Sequence, residues 1–194
     1  SYPKSGNTFL RILISTYFFT KDGNYDQLLL KNIKEYPREY FEYTPNNLIS
    51  KEAIQWKRKQ LDISKSSKNF IFLKTHLAHC DINEKYETLV SNLSKCIIYI
   101  YRDPRNVLLS LKEFFDLDIE SAKKVLFDTK GIIRLKNKEG LEKNFTPILD
   151  WQSNYNSYDV NKSKIPTLFI KYEDLIKNTV EEFLKILEFL KSKN

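Results

Sequence analysis

The chain has 194 residues, and its 32 Lys and Arg residues against 25 Asp and Glu residues give a formal net charge of +7. This length suits a single domain, and the aromatic content of 14% excludes a disordered chain. No apolar run approaches the roughly 18 residues that a membrane helix needs. The positive charge favours an anionic partner, but it does not by itself distinguish a nucleotide, a nucleic acid and an anionic lipid.

The start of the chain and its two cysteines set expectations about context. Cys80 and Cys96 match neither a disulfide framework nor a metal-binding spacing, so a reducing compartment, the cytoplasm, is expected. Residues 1–8 resemble a loop entered from a strand, and they contain neither Met nor a signal-peptide pattern. We therefore expect residues 1–194 to form one domain that is a fragment lacking its first strand, and an upstream targeting segment remains open.

Regular elements are predicted from hydrophobic spacing, in chain order. Amphipathic helices are predicted over Thr8–Phe18, Asn106–Phe115 and Thr179–Leu190. Buried strands are predicted over Asn69–Leu73, Cys96–Tyr101 and Thr167–Lys171. Because these strands are apolar throughout and alternate with the helices, they predict an α/β fold with a central parallel sheet covered by helices on both faces.

Two long inserts fit this scheme less well. Lys21–Ser67 is polar and rich in Tyr, with a helix predicted around Ser50–Leu61, and Asp116–Tyr158 mixes short helical patches with Lys-rich turns. Ligands of open α/β sheets bind beyond the carboxyl ends of the strands. The inserts are therefore either walls of a substrate pocket or surface decoration, and the sequence favours neither.

The loop before the first helix has the composition of a phosphate cradle. Gly6 permits a tight turn, the helix that follows exposes unpaired N–H groups, and Lys4 adds a positive charge. The remaining donors and caps are Ser5, Asn7 and Thr8. The alternative is an ordinary capped loop. The segment is not an NTPase loop, which has two glycines and ends in Lys-Ser/Thr.

A second anion site is predicted after the strand at Cys96–Tyr101. Arg102 follows this strand, where a Walker-type NTPase has an Asp that holds Mg²⁺. Arginine repels a metal ion and binds phosphate in a bidentate manner. Ser110, about two turns into the next helix, has a hydroxyl for the same anion, or it is a small residue packed on the sheet. Two anion sites at two strand ends indicate a nucleotide phosphorylated at two separate places.

A candidate catalytic segment lies between these two sites. Lys74 and His76 come at the end of the strand predicted over Asn69–Leu73. Histidine is suited to act as a base toward a hydroxyl, and lysine can stabilise charge on a leaving oxygen. A lone histidine at a strand end is more often structural. His79 is interpreted as a surface residue rather than as the base.

Together these motifs resemble the sulfotransferase family that uses 3′-phosphoadenosine 5′-phosphosulfate (PAPS). Residues 2–9, Tyr-Pro-Lys-Ser-Gly-Asn-Thr-Phe, are similar to the family's phosphosulfate loop, which usually has Thr-Thr-Trp at its end. Residues 74–77, Lys-Thr-His-Leu, are similar to its catalytic segment. The spacing of Arg102 and Ser110 resembles its 3′-phosphate site, and residues 169–175 resemble its later strand and Tyr-Glu-Asp turn. The fold that this resemblance implies is P-loop-NTPase-like.

The resemblance implies a role for each matched residue in binding the donor. The 5′-phosphosulfate would be held by Lys4, Ser5, Gly6, Asn7 and Thr8. Phe9 would stack on the adenine in place of the usual Trp, and Tyr172 would border the adenine. Arg102 and Ser110 would bind the 3′-phosphate.

The resemblance also implies a reaction. His76 would deprotonate a hydroxyl or amine acceptor, and Lys74 together with Lys4 would stabilise the departing phosphate of the product, 3′,5′-adenosine bisphosphate (PAP). The sulfuryl group would move by in-line displacement without a metal ion. The acceptor would be a small molecule or a carbohydrate, with no nucleic acid partner. The family's C-terminal basic loop has no match here.

Two other readings of the residues remain open at this stage. A nucleotide kinase would require Mg²⁺ for transfer. A non-catalytic module that binds nucleotide or RNA would show a steep salt dependence of binding and no effect of His76→Ala.

Overall fold

The computed structural model describes residues 1–36, 58, 61–63, 65, 70–82, 86–87, 93–136, 142–159 and 165–193. The helices are α1 (Asn7–Phe19), α2 (Pro104–Phe115), α3 (Ile119–Phe127), α4 (Trp151–Asn156), α5 (Tyr172–Lys177) and α6 (Thr179–Ser192), with a 3-10 helix over Gln27–Asn32. The strands are β1 (Lys34–Glu35), β2 (Leu73–Lys74), β3 (Asp81–Ile82), β4 (Tyr86–Glu87), β5 (Ile97–Tyr101), β6 (Ile132–Lys136), β7 (Glu142–Pro147) and β8 (Thr167–Lys171).

The strands pair in a pattern that confirms the predicted α/β class, although the sheets are small. β5 and β8 form a parallel pair, and so do β1 and β2. β6 and β7 form an antiparallel hairpin within the second insert, as do the short strands β3 and β4 elsewhere. The hairpin β6–β7 was not predicted: β6 has apolar residues at Ile132, Ile133 and Leu135, but its partner β7 is mostly polar.

The predicted boundaries agree with the structure for most elements. Three predicted helices correspond to α1, α2 and α6, and two predicted strands correspond to β5 and β8. The strand predicted over Asn69–Leu73 is wrong in extent, because the paired segment is β2 and residues 70–72 lie outside any strand. Most of the helix predicted around Ser50–Leu61 lies outside the described residues.

Helices cover the β5–β8 pair on both faces. Because side chains alternate along a strand, Tyr99 and Ile100 of β5 enter different core clusters. Ile100 packs with residues of α1, α5 and α6, whereas Tyr99 packs with Tyr158, just beyond α4, and with Leu77. A third cluster joins α2 and α3 to Tyr2. Tyr2 therefore anchors the loop before α1 in the third cluster, while Leu10 anchors α1 itself in the cluster of Ile100.

A cavity of about 370 Å³ lies beside β2 and β5. Its walls include Lys74 and other residues of β2 and β5, together with Asn7 and Thr75. None of the helices in the described part of the chain combines the length and the apolar character that crossing a bilayer requires.

Candidate active site

The loop before α1 presents a helix N-terminus with no side-chain cap. The helices α2, α3 and α4 each begin at an aspartate whose carboxylate accepts a backbone N–H: Asp103, Asp118 and Asp150. α1 begins at Gly6, which has a left-handed backbone (φ 96°), and no side chain caps its first turn. The free N–H groups and the helix dipole favour an anion at this point.

Gly6 is required by its contact with Tyr172. A Cβ atom at Gly6 would lie 2.1 Å from Cδ2 of the tyrosine ring, well inside van der Waals contact. Tyr172 follows β8 directly and begins α5. The ring therefore rests on the backbone of the loop, and it sets the position of the loop relative to the sheet.

The register of β5 and β8 brings Arg102 beside this ring. Tyr101 pairs with Lys171, so the residues that follow, Arg102 and Tyr172, leave the sheet side by side. The guanidinium carbon of Arg102 lies 5.0 Å from the centroid of the Tyr172 ring. This geometry is a cation–π contact, which holds the guanidinium close to the loop.

The two predicted anion sites meet at this point. Nη1 of Arg102 lies 3.5 Å from the carbonyl oxygen of Lys4, a distance that is long for a hydrogen bond. Burial and the positive charge of Arg102 lower the pKa of Lys4, while Glu113 acts in the opposite direction. The loop and Arg102 thus form one cationic region, and the Lys4 ammonium lies 3.7 Å from the centroid of the Phe114 ring.

Several buried polar atoms in this region have no hydrogen-bond partner among the described residues. They are Oγ of Ser5, Oδ1 of Asn7, Nε of Arg102 and Oε2 of Glu173. Burying a polar atom without a partner costs free energy, so such atoms tend to mark places where a ligand or water completes the bonding. Two of these four, on Ser5 and Arg102, are potential donors to an anion.

The other predicted donor-binding residues occupy different environments. Ser110 is half-buried one turn before Phe114, so both lie on the face of α2 that approaches Lys4. Thr8 is exposed in the first turn of α1. Phe9 is half-buried and packs against the core cluster of α1, β5 and β8.

The ring of His76 has a defined tautomer. Its Nδ1 lies 2.8 Å from the carbonyl oxygen of Ser1. Since a carbonyl only accepts, Nδ1 carries the hydrogen, and Nε2 is left with a lone pair. Burial, and after it the charge of Lys74, lower the pKa of His76 well below its usual value. The imidazole is therefore neutral at pH 7, the form that a base requires.

A buried network that the sequence did not indicate holds the backbone of His76. Asn154 is fully buried, and its Nδ2 donates to the carbonyl oxygens of His76 and Ile148 at 3.2 and 2.8 Å. Tyr99 donates its hydroxyl to Oδ1 of Asn154 at 2.6 Å, and Tyr158 donates to the carbonyl oxygen of Leu77 at 2.6 Å. From the sequence, the apolar pattern indicates at most that Tyr99 is buried in the core. The hydrogen bonds of this network join segments that are distant in the chain, so the sequence does not show them.

Neutral His76 makes the stability of the fold dependent on pH. Below pH about 6.5 the unfolded chain binds a proton that folded His76 does not bind, so the free energy of unfolding falls as the pH is lowered, by up to about 1.4 kcal/mol per pH unit. We expect His76→Gln to remove this part of the slope in urea unfolding between pH 5 and 7.5. His79→Gln is the control, and equal slopes in wild type and His76→Gln would contradict the assignment.

Two further residues complete the neighbourhood of His76. His79, which was expected at the surface, is half-buried with its ring 6.0 Å from the ring of Tyr158, so that expectation is wrong. The ammonium of Lys74 lies 2.7 Å from the carboxylate of Glu35. The sequence did not indicate Glu35, because it belongs to a polar two-residue strand.

Glu173 fastens the Arg102 segment to the end of β8. Its Oε1 accepts the backbone N–H of Asp103 at 3.1 Å and lies 3.4 Å from Nδ2 of Asn106. This contact follows from the β5–β8 register, one step beyond Arg102 and Tyr172. Within the described ranges no group of three or more His, Cys, Asp or Glu side chains converges as a metal site.

Comparison with known proteins places the chain in a family. A family model described as "Sulfotransferase domain" matches residues 1–194, and the chain belongs to that family. It is 26% identical over 191 residues to cytosolic sulfotransferase 16 of Arabidopsis thaliana, covering 98% of this chain and 51% of the relative. It is 22% identical over 197 residues to an amine sulfotransferase of Oryctolagus cuniculus, covering 98% and 54%. The chain spans about half the length of the curated relatives that it matches.

Proposed function

We propose that this chain carries the donor-binding and catalytic part of a sulfotransferase that moves a sulfuryl group from PAPS to a hydroxyl or amine of a small-molecule or carbohydrate acceptor. The observation that carries the proposal is the meeting of the Lys4 loop and Arg102 beside the Tyr172 ring, which contacts both. Two cationic elements around an aromatic ring suit a ligand that has two phosphate groups and a planar base.

The roles proposed for binding follow from the family resemblance and suit the chemistry of the residues. The uncapped N-terminus of α1, with Lys4, Ser5, Gly6, Asn7 and Thr8, would bind the 5′-phosphosulfate. Arg102 and Ser110 would bind the 3′-phosphate, and Phe9 and Tyr172 would contact the adenine. Arg102 stands where a kinase would place a carboxylate for Mg²⁺, which favours a reaction without a metal ion.

The donor supplies a sulfuryl group bonded to a phosphate oxygen. His76 accepts the proton of the acceptor hydroxyl at Nε2, and the acceptor oxygen forms its bond to sulfur as the bond from sulfur to the phosphate oxygen breaks. Lys4 and Lys74 stabilise the charge that develops on the departing phosphate. The neutral state and the tautomer of His76 support its role as the base.

Context supports two further parts of the proposal. The similarity to cytosolic sulfotransferases 16 and 17 of Arabidopsis thaliana supports a cytoplasmic location. Nη1 of Arg102 lies 3.5 Å from the carbonyl oxygen of Lys4, and such a compact cationic region suits the phosphate groups of a nucleotide.

The proposal is tested by thermal unfolding with PAP in the presence of EDTA. A ligand at 100 times its dissociation constant raises the free energy of unfolding by about 2.7 kcal/mol, and we expect such stabilisation without any metal ion. A kinase would instead require Mg²⁺ with ATP, and an RNA-binding module would respond to RNA with a steep salt dependence. Either of these results, or the absence of any shift with PAP, would contradict the proposal.

The proposed base is tested by measuring PAP release from PAPS with a panel of phenols, amines and sugars. Loss of a general base costs about 10²- to 10⁴-fold in rate, so we expect His76→Gln to lower kcat by this amount while the affinity for PAP stays close to that of wild type. His79→Gln should retain activity. A His76→Gln variant with wild-type kcat would exclude His76 as the base.

A further inference from the structure

A nearly buried ion pair joins the catalytic segment to β1. The parallel register of β1 and β2 pairs Glu35 with Lys74, so both side chains leave the same face of the pair at the same level. Their charged groups are 2.7 Å apart, and the two side chains are only 18% and 11% exposed. An ion pair so shielded from water interacts far more strongly than a pair on the surface.

The surroundings of Lys74 also contain positive charge. The charge of Lys74 lowers the pKa of His76, which lies two residues further along the chain. The guanidinium of Arg11, on α1, acts on the same ring in the same direction. The Lys74 ammonium thus lies near another positive group, and Glu35 contributes a negative charge 2.7 Å from it.

We propose that Glu35 is a positioning residue, whose carboxylate keeps Lys74 protonated and fixes its ammonium beside His76. The inference rests on the proposed function, in which Lys74 stabilises the departing phosphate. Glu35 lies outside the motifs that carry the family resemblance. The role proposed for it rests on its contact with Lys74.

The chemical consequence of the ion pair concerns the proton of Lys74. A shielded ammonium that loses a carboxylate 2.7 Å away gives up its proton more readily. A neutral amine does not stabilise negative charge on a leaving oxygen, so loss of the Glu35 charge would reduce activity first at alkaline pH. An arginine at position 74 stays protonated whether or not Glu35 is charged. The pH dependence of activity in Lys74→Arg should therefore not depend on the charge at Glu35.

The first test needs no catalytic activity. Trace acetylation of wild type and Glu35→Gln with acetic anhydride, read by mass spectrometry between pH 7 and 10, follows the neutral amine of each lysine. We expect about tenfold more neutral Lys74 amine in Glu35→Gln at a given pH, and little change in Glu35→Asp. The matched control is the exposed pair of Lys123 and Glu120, also 2.7 Å apart, where Glu120→Gln should leave the labelling of Lys123 almost unchanged.

The second test uses the pH profile of PAP release. We expect the alkaline limb of kcat to move to lower pH in Glu35→Gln, and we expect Glu35→Gln to cause no such shift when it is made in Lys74→Arg. A merely structural role of Glu35 would lower activity equally at all pH values and in both backgrounds. If the wild-type protein does not turn over PAPS, the proposed function fails, and the acetylation still decides the inference. Equal labelling of Lys74 in wild type and Glu35→Gln would overturn the inference even in an active enzyme.

Discussion

Replacing Arg102 with alanine is expected to weaken the binding of PAP by about 10- to 100-fold, because a charge-assisted hydrogen bond contributes about 1.5–3 kcal/mol. The guanidinium is held near the loop by the Tyr172 ring, and its Nε is buried without a partner among the described residues. The variant therefore loses a pre-positioned phosphate ligand. Isothermal titration calorimetry in EDTA measures the difference directly.

Arg105 offers a matched control for this change. It lies three residues further along the chain, its side chain is 88% exposed, and it pairs with Asp103. Arg105→Ala removes the same formal charge from the protein, so any general effect of charge on an anionic ligand appears in both variants. We expect the affinity for PAP to change less than threefold in Arg105→Ala, since a surface ion pair contributes about 0–1 kcal/mol. Equal losses in the two variants would show that Arg102 has no specific role.

Replacing Gly6 with alanine is expected to destabilise the fold by about 3 kcal/mol or more. The new Cβ would overlap the Tyr172 ring, and the backbone at φ 96° is unfavourable for any residue other than glycine. In a chain of this length such a loss lowers Tm by roughly 6–12 °C. Differential scanning calorimetry of the two proteins measures it.

Gly23 separates the two causes of this effect. It also has a positive φ, 72°, but a Cβ at this position meets no atom within 4 Å. We expect Gly23→Ala to show only the backbone cost, about 1–2 kcal/mol. In a Tyr172→Ala background, Gly6→Ala should cost no more than Gly23→Ala does. A Gly6→Ala cost that is unchanged in that background would contradict the close contact between loop and ring.

The parts of the structure that were predicted from sequence are those set by local pattern. β5 is apolar along its whole length and β8 has an apolar centre, and their predicted limits agree with the observed ones to within a residue. The loop before α1 was identified as a candidate phosphate site from Gly6, Lys4 and the polar residues beside them, at the start of a predicted helix. Local turn chemistry and hydrophobic spacing are properties of neighbouring residues, and a single sequence displays them.

The parts that were missed depend on pairing between distant segments. β1 is polar and two residues long, so nothing in its sequence distinguishes it from a loop. The strand before His76 was predicted too early in the chain, because its limits are set by pairing with β1. The ion pair of Glu35 with Lys74 exists only because of that strand register. The position of Asn154 beneath His76 likewise follows from how α4 packs on β5.

The proposed function requires that the Lys4 loop and Arg102 bind opposite ends of one adenine nucleotide. Titration calorimetry of the wild-type protein with PAP, adenosine 5′-monophosphate and adenosine 3′-monophosphate, in EDTA and at one salt concentration, tests this claim most directly. We expect PAP to bind at least tenfold more tightly than either monophosphate, since each phosphate would have its own charged partner. Equal affinity for PAP and one of the monophosphates would show that only a single phosphate is recognised and would contradict the account.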